Sequence, residues 1–354
     1  MTAAEPLLKV RNLVKRFPVP HGDKVVHACE DISFDVYPGE TVGVIGESGS
    51  GKTTLGRCIL RLIEPTSGEV ILQGRDITKV SGRELRELRA DMQIVFQEPY
   101  DSLNPQLPIG YQITEPLRIH RGIKGSQRRA EAERLLDLVG LPASVARAYP
   151  GALPMGALQR CSIARAFAAE PKLVVLDEPT SALAPESESE IIELLQELQQ
   201  RLGLSYIFIS HDLSLIGRIC DRVAVMYLSE IVELGPSEAL FQDPQHPYSR
   251  ALLDAVLLPD PHNRRELRPR SDELSGEVPS PIDLPPGCHL AGRCPHVTPR
   301  CELERQPLRE RVANHPVRCW RAIEEPEAIG AQRNGDGSAA LLLTSTSSHS
   351  PQGE

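Results

Sequence analysis

One segment of the sequence has the residue types and the spacing that bind phosphate groups. It reads GESGSGKT from Gly46 to Thr53 and fits the pattern G-x-x-x-x-G-K-[ST] at every fixed position. Its glycines let successive backbone N–H groups face phosphate oxygens, and a helix that begins there adds the positive end of its dipole. In this pattern Lys52 reaches the β- and γ-phosphates and the Thr53 hydroxyl binds Mg²⁺. The predicted nucleotide-binding residues are Gly46, Glu47, Ser48, Gly49, Ser50, Gly51, Lys52, Thr53 and Thr54.

Two adjacent carboxylates, Asp177 and Glu178, follow an apolar run far downstream. A buried strand that ends in two carboxylates suits metal-assisted phosphoryl transfer, because one can hold Mg²⁺ and the other can polarise the attacking water. We assign the first role to Asp177 and the second to Glu178. Alone, the pair is equally an ordinary turn at a strand end. Together with the glycine-rich loop it predicts a site that hydrolyses a nucleoside triphosphate.

The elements that must position these residues alternate along the chain. Short apolar runs predict strands, and segments with helical periodicity lie between them. This alternation predicts an α/β domain with a mostly parallel sheet and helices on its faces. The predicted strands are 41–45, 94–96, 173–176 and 206–209, and the predicted helices are 52–62, 128–139 and 186–201.

Composition limits the classes of partner. The chain has 354 residues and a formal net charge of -9, which argues against a large basic surface and against nucleic acid as the main partner. Charged residues at Glu5, Lys9 and Arg11 interrupt any apolar core of a signal peptide. No uninterrupted apolar stretch approaches the roughly 20 residues that span a bilayer. We therefore expect a cytoplasmic location, where cysteines mostly stay reduced.

Three further segments complete a recognisable set: VFQEP with Gln97, ISHD with His211, and VKRF with Phe17. With the two motifs above they resemble the ATPases of ABC transporters over about residues 7–257. The resemblance implies a P-loop NTPase fold with a RecA-like parallel sheet, a helical subdomain at about 98–160 and an antiparallel β edge. It implies that Gln97 lies near Mg²⁺ and on the path to the membrane subunits, and that His211 contacts the γ-phosphate of ATP. It also implies that Phe17 stacks on adenine, although Phe17 alone reads equally as a core aromatic.

Two segments depart from the family pattern on surfaces that would face a second ATPase subunit. The family signature Leu-Ser-Gly-Gly-Gln is LPMGA here, at 153–157, and SALA at 181–184 has alanine in place of the family's aspartate. Pro154 offers neither a hydroxyl nor an N–H, and Met155 adds a side chain where backbone must approach phosphate. Proline is tolerated in a first helical turn, so the helix should persist. We expect a heterodimer with one competent and one degenerate ATP site, or alternatively a slow ATPase or a regulatory relic.

Four of the eight cysteines lie in one short polar segment: Cys288, Cys294, Cys301 and Cys319. Four thiolates can surround one metal ion or hold an iron–sulfur cluster. The five, six and seventeen intervening residues lack the close pairs of zinc sites and favour a cluster; a loop without a cofactor is the alternative. The remaining cysteines, Cys29, Cys58, Cys161 and Cys220, are expected to be small buried side chains.

This segment, with HPYSRALL at 246–253, is similar to the C-terminal extension of the ATPases of oligopeptide and dipeptide uptake systems. The resemblance implies a [4Fe-4S] cluster on the four cysteines. Composition changes after about Leu257 and again near residue 323, where a tail rich in Gly, Ser, Thr and Gln begins. These changes predict an ATPase domain at 1–257, an extension at 258–322, which begins with a linker, and a disordered tail at 323–354.

These observations predict a peripheral subunit on the cytoplasmic face of the membrane that binds ATP and Mg²⁺. It would pair with a second, unlike ABC ATPase subunit and act on two transmembrane permease subunits, supplied by an extracytoplasmic solute-binding protein. Di- and oligopeptides are the predicted cargo, with nickel, glutathione or oligosaccharide as alternatives. A soluble ABC ATPase of translation or DNA repair is a different class; such proteins usually carry tandem ATPase halves or long coiled-coil insertions, which this sequence does not show.

Overall fold

The computed structural model describes residues 5–20, 22–255 and 273–329. These residues belong to two compact units that interleave along the chain. The first comprises Met1–Arg11, Phe34–Thr41 and Gly56–Ser210, and the second comprises Asn12–Ser33, Val42–Leu55 and His211–Glu354.

The strands are β1 (Leu8–Pro18), β2 (Val25–Val36), β3 (Thr41–Ile45), β4 (Ser67–Leu72), β5 (Arg75–Asp76), β6 (Met92–Val95), β7 (Leu173–Asp177), β8 (Ser205–Ile209), β9 (Arg222–Tyr227), β10 (Glu230–Pro236), β11 (Arg309–Val312) and β12 (His315–Val317). The helices are α1 (Lys52–Ile59), α2 (Gly82–Leu88), α3 (Pro99–Ser102), α4 (Ile109–Ile113), α5 (Glu115–Arg121), α6 (Gly125–Leu138), α7 (Met155–Phe167), α8 (Pro185–Leu202), α9 (Leu213–Ile219), α10 (Ser237–Gln242), α11 (Pro247–Asp254), α12 (Pro299–Leu303) and α13 (Trp320–Glu324). Short 3-10 helices span Ala143–Arg147, Pro150–Ala152 and Pro326–Ile329.

The first unit contains parallel strands in the order β6-β7-β8, with Ile94 opposite Val175 and Val175 opposite Ile207. Every residue of β7 and β8 is buried, as expected of strands covered on both faces. Helix α8 begins with Pro185 in its first turn and ends at Gly203, whose left-handed φ of 64° suits a glycine C-cap. The Tyr206 hydroxyl of β8 donates to the Leu195 carbonyl of α8 at 2.9 Å, which fixes this helix against the sheet.

Residues 99–167 of the first unit are mostly helical and contain α3 to α7. Helix α4 packs on α6 and α7, and its residues Ile109 and Ile113 are fully buried. The buried Gln112 side chain accepts from the Asn104 N–H at 2.7 Å and donates to the carbonyls of Asn104 and Leu107. These bonds satisfy backbone polar groups of the loop between α3 and α4 and fix the conformation of that loop.

The second unit contains strands in the order β3-β9-β10-β12-β11. β3 and β9 are parallel, and the other neighbours are antiparallel, so this unit carries the predicted antiparallel edge. β12 belongs to the C-terminal extension, and its Val317 lies opposite Glu233 of β10. The extension is thus joined to the sheet through strand pairing, which its sequence did not reveal.

A buried carboxylate fastens this strand pair. Glu233 is fully buried and accepts hydrogen bonds from the N–H groups of Gln245 at 2.7 Å and His246 at 2.9 Å. His315 Nε2 of β12 lies 2.7 Å from its carboxylate. Burial alone raises the pKa of Glu233, but the hydrogen bond and charge of His315, together with the backbone N–H of Gln245, outweigh burial and lower the pKa overall.

The predicted strands and helices agree with the structure to within a few residues, and β3 has the predicted bounds. Beyond the predicted boundary at 323, α13 and the 3-10 helix at Pro326–Ile329 continue, and Ile329 packs with Val317 and Ala322. Most of the predicted linker, at 258–272, and the tail from 330 onward lie outside the described residues.

Candidate functional site

The loop predicted to bind phosphate joins β3 to α1 in the second unit. Lys52 is the first residue of α1 and is only 7% exposed. Its Nζ donates to the carbonyl oxygens of Gly46 at 2.8 Å and Glu47 at 3.0 Å. The ammonium group therefore lies within the curve of the loop, where the positive charge can meet phosphate oxygens. Thr53 and Thr54 follow on the first turn of α1 and are half-buried.

Two glycines of the loop are required by close packing. Gly46 has a φ of 149°, and a Cβ there would lie 2.1 Å from the Met226 carbonyl oxygen of β9. Gly51 has a φ of 104°, and a Cβ there would lie 2.0 Å from the Ala28 carbonyl oxygen of β2. Both distances are shorter than any side chain tolerates, so only glycine fits at these positions.

Glu47, at the second position of the loop, has partners that the sequence analysis missed. Its backbone N–H donates to the Tyr248 hydroxyl of α11 at 2.9 Å. Its carboxylate lies 3.3 Å from Nη1 of Arg293, which belongs to the cysteine-bearing segment. No local motif could have linked residues about 200 and 246 positions apart.

The carboxylate pair lies in the first unit, at the end of β7. Asp177 is 2% exposed and lies opposite Ile209 in the parallel register of β7 and β8. Glu178 follows in a left-handed conformation with a φ of 48°, and its N–H donates to the Ile209 carbonyl at 2.9 Å. A non-glycine residue held in this region costs about 1–3 kcal/mol, and such residues cluster at functional sites.

Gln97 and Glu178 are brought together, although the sequence places them in separate motifs. Gln97 follows β6, and its Nε2 donates to Oε2 of Glu178 at 3.0 Å. The amide thereby orients the carboxylate that we assign to water activation. The parallel order of β6 and β7 explains the proximity, since their carboxyl ends meet at one edge of the sheet.

The remaining predicted residues occupy distinct positions. Phe17 near the end of β1 is half-exposed, with Lys15 Nζ 4.7 Å from its ring centroid, so it is not a core aromatic. His211 is exposed in the turn between β8 and α9. Asp212 next to it caps α9, with Oδ1 accepting from the Leu215 N–H at 3.0 Å.

The altered signature segment keeps its helix. Pro154 stands at the N-cap of α7, and its carbonyl accepts from the Leu158 N–H at 3.1 Å. Met155 is the first helical residue and is 37% exposed. In the other altered segment, the exposed Ala184 is the N-cap of α8 and its side chain makes no capping bond. Helices α7 and α8 thus begin at Pro154 and Ala184 without a side-chain cap, and the persistence of α7 agrees with the tolerance of proline at a helix start.

The four cysteines of the extension line one cavity, together with Trp320 and His246 among others. Cys301 accepts from the indole Nε1 of Trp320 at 3.2 Å. Burial raises the pKa of Cys288 to about 12 and also raises the pKa of Cys319. Among the residues that the structure describes, no group of three or more His, Cys, Asp or Glu is arranged to hold a metal ion. The cysteines outside the extension are all buried, as predicted: Cys29, Cys58, Cys161 and Cys220.

Two family models match the sequence. One describes the ABC transporter and covers residues 29–181, and the other describes the oligopeptide/dipeptide transporter C-terminal region and covers residues 232–301. Tyr248 and Arg293, the two partners of Glu47, both fall within the second match.

Relatives match over most of the chain. A probable peptide ABC transporter ATP-binding protein of Sinorhizobium fredii is 46% identical over 97% of both chains. A putative peptide import ATP-binding protein of Brucella ovis is 43% identical over 89% of this chain and 98% of its own. The glutathione import ATP-binding protein GsiA of Salmonella typhimurium is 48% identical over 78% of this chain but only 45% of its own length.

Among solved structures, a dimeric ATP-binding cassette, MJ0796, in a post-hydrolysis state with ADP and phosphate matches with a TM-score of 0.60. The match is 29% identical and covers 65% of this chain and 98% of the cassette.

Proposed function

Because this chain belongs to the ABC transporter ATP-binding proteins, we propose that it binds Mg-ATP at the loop before α1 and hydrolyses it to drive peptide import. The observation that carries this proposal is the complete GESGSGKT loop between a buried strand and a helix, with Lys52 inside its curve. The membership rests on 46% identity to a relative over 97% of both chains. As a subunit of such an importer, the chain works with transmembrane permease partners.

The test of nucleotide binding is Lys52→Ala in the full-length chain, with Mg-ATP affinity measured by titration calorimetry. Removal of the ammonium should abolish binding or turnover. The matched control is Lys79→Ala, since the Lys79 side chain is 68% exposed, lies outside the loop and pairs with Asp76 and Glu69. Unchanged affinity and unchanged turnover in the Lys52 variant would exclude this loop as the ATP site.

Hydrolysis is assigned to the cluster around Glu178. In the proposed mechanism Asp177 holds Mg²⁺, Glu178 polarises the attacking water, and Gln97 orients the Glu178 carboxylate through the 3.0 Å hydrogen bond. The left-handed backbone of Glu178 supports a functional rather than a structural role for this residue. We assign His211 to the γ-phosphate and Phe17 to adenine; their exposure leaves both side chains accessible to a nucleotide.

We propose further that an unlike second ATPase subunit is needed for turnover. The support is chemical: Pro154 and Met155 stand where the family pattern supplies Ser and Gly, and Pro154 has no N–H to donate. Loss of one donor to developing negative charge typically costs about 10²–10³ in rate. In the assembled transporter, Glu178→Gln should stop turnover, whereas the matching carboxylate change in the other ATPase subunit should have far less effect. Equal damage from the two changes would refute the asymmetry.

Peptides are the proposed cargo class, because the C-terminal match is to the oligopeptide/dipeptide transporter region and two relatives are named for peptides. Glutathione, itself a tripeptide, is the second candidate because of the similarity to GsiA. The two candidates are separated by measuring uptake of labelled di- and tripeptides and of labelled glutathione in cells with and without this chain. Loss of glutathione uptake alone would favour the second candidate.

The permease contact is proposed on the helical segment after Gln97. Tyr100 of α3 is 44% exposed, and Tyr149, before the second 3-10 helix, is also exposed. Exposed aromatic side chains favour a protein interface. Leu103, which lies between them in sequence, is only 2% exposed, so a substitution there would disturb the packed interior and would not report on a surface contact.

In the described part of the chain, no helix is both long and apolar enough to cross a bilayer. We place the subunit at the cytoplasmic face of the membrane, attached through the permeases.

For the extension, we propose that Cys288, Cys294, Cys301 and Cys319 hold a [4Fe-4S] cluster with a structural role. The four thiols line one cavity but, as the described residues stand, are not arranged to hold a metal ion, so cluster binding would have to draw them together. The neighbouring apolar group of Val317, Ala322 and Ile329 is small, and an iron–sulfur cluster would supply stability that this core lacks. The iron–sulfur cluster would form iron–thiolate bonds with the four cysteines, and each thiol would release its proton on binding. Anaerobically purified protein should be brown and contain about four iron atoms per chain. One zinc per chain, or no metal, would overturn the assignment.

A further inference from the structure

The cysteine-bearing extension touches the phosphate-binding loop through one ion pair. Nη1 of Arg293 lies 3.4 and 3.3 Å from the two carboxylate oxygens of Glu47. The Arg293 side chain is 12% exposed and that of Glu47 is 33% exposed. Because the arginine is mostly shielded from water, this pair is screened less than a surface salt bridge.

A second contact holds the backbone at the same residue. The Tyr248 hydroxyl accepts from the Glu47 N–H at 2.9 Å, and Tyr248 is buried. Its ring packs against that of Tyr227, with centroids 4.6 Å apart and planes tilted by 48°. The Arg293 guanidinium lies over the Tyr227 ring, 5.8 Å from its centroid. Glu47 thus rests on a support made of Arg293, Tyr227 and Tyr248.

The fold of the extension determines where Arg293 points. Its N–H donates to the Leu290 carbonyl at 2.8 Å, and the N–H of the next residue, Cys294, donates to the same carbonyl at 2.9 Å. The Arg293 carbonyl accepts from the Ser275 N–H at 3.1 Å. Arg293 therefore lies in a tight turn between Cys288 and Cys294, two of the four cysteines that line the cavity.

A carboxylate in a loop that binds a triphosphate weakens binding unless a nearby cation neutralises its charge. An unpaired Glu47 would place a negative charge beside the N–H groups and the lysine that attract phosphate, and it would repel the nucleotide. Arg293 removes that repulsion, and Tyr248 fixes the backbone at the point where the loop begins to curve.

We propose that Arg293 and Tyr248 are positioning residues for the phosphate-binding loop, and that through them ATP affinity depends on the folded cysteine-bearing extension. This inference rests on the proposed ATP binding at that loop. By linkage, a coupling between two parts of one protein is reciprocal, so bound ATP also stabilises the extension.

The experiment measures Mg-ATP affinity by titration calorimetry for the full-length chain and four variants. Arg293→Leu should weaken binding on the order of tenfold, within the usual range of such couplings. Glu47→Gln alone, at a residue of the loop itself, is the reference against which the double variant is compared. The double variant Arg293→Leu/Glu47→Gln should recover most of the loss, because the charge that needed a partner is gone. The control is Arg309→Leu, which removes an exposed arginine of β11 in the same extension.

The outcomes separate the inference from the assignment of the ATP site. Rescue by Glu47→Gln supports positioning through charge, since a purely structural role of Arg293 would leave the double variant as weak as the single one. Unchanged affinity in Arg293→Leu, or a loss that Glu47→Gln does not relieve, overturns the inference. If the unmodified chain fails to bind ATP and matches Lys52→Ala, the proposed function itself is wrong.

The variant Tyr248→Phe provides a second test. It removes only the hydroxyl that accepts from the Glu47 N–H and should weaken Mg-ATP binding a few-fold.

Discussion

Substitution of Gly51 by alanine provides a sharp test of the phosphate-binding loop. A Cβ at this position would lie 2.0 Å from the Ala28 carbonyl oxygen, whereas side chains keep at least 3.0 Å from other heavy atoms. The loop would therefore have to move by about 1.0 Å, the difference between the two distances. A misplacement of about 1 Å can cost on the order of 100-fold in a site that depends on geometry. We expect Mg-ATP affinity to fall by about that factor.

The same loop offers a matched control. Gly49 also has a left-handed backbone, with a φ of 81°, but a Cβ there would meet no atom within 4 Å. Gly49→Ala therefore carries only the conformational cost of alanine in this region, about 1–2 kcal/mol. Gly51→Ala, with a φ of 104°, carries a similar cost together with the collision. The difference between the two variants isolates the steric effect.

Titration calorimetry with Mg-ATP and thermal melting by circular dichroism are sufficient for both variants. Gly49→Ala should retain affinity within about 30-fold of the unmodified chain, because its conformational cost is about 1–2 kcal/mol. Equal losses in the two variants would show that backbone conformation, not contact with β2, makes these glycines necessary. Near-normal affinity in Gly51→Ala would refute the close approach of the loop to Ala28.

Three further predictions follow from the same structure. Glu178→Gln should keep ATP binding but lower ATP turnover of the assembled transporter by about 10²–10⁴, the usual contribution of general base catalysis; loss of binding and turnover together would contradict its role. Tyr100→Ala should lower transport with melting unchanged, whereas Leu103→Asp should lower the melting temperature because it places a charge in the core; full transport in the tyrosine variant would count against the permease contact. Because the pKa of Glu233 is lower in the folded than in the unfolded chain, its stabilisation is present above the unfolded pKa of about 4.3 and is lost as pH falls through the folded pKa. Glu233→Gln should weaken this acid dependence and destabilise the chain at neutral pH by about 1–3 kcal/mol, measured by melting across pH; an unchanged profile would exclude this carboxylate.

Much of the ATPase fold could be predicted because its signals are local. A wholly buried parallel strand needs an uninterrupted apolar run, so β3 and β7 are visible as TVGVI and LVVL in the sequence. Helix α8 shows its period, its proline in the first turn and its terminal glycine within 20 residues. The nucleotide loop is equally local, since its glycines, lysine and threonine are all contiguous.

The contacts that sequence reasoning missed are distant along the chain. Pairing of β12 with β10 joins residues more than 80 positions apart, and it depends on Glu233, whose sequence neighbours give no sign that it is buried. The contact of Arg293 with Glu47 is similar, because an arginine in a polar loop ordinarily lies in solvent. The left-handed backbone of Glu178 was also invisible, since the Asp-Glu-Pro sequence does not specify φ. Periodicity reports which face of an element is buried, but not what covers it.

The altered signature segment shows why family membership and site chemistry must be argued separately. A helix requires of its N-cap only a compatible backbone and a carbonyl, and Pro154 supplies both: its φ is -68° and its carbonyl accepts from Leu158. A phosphate held by another subunit would require a hydroxyl or an N–H at the same position, and proline supplies neither. Helix α7 is therefore preserved whether or not the segment retains its chemistry. The chain shares its fold with its relatives, but the chemistry of the signature surface must be inferred from the donors that Pro154 lacks and the side chain that Met155 adds.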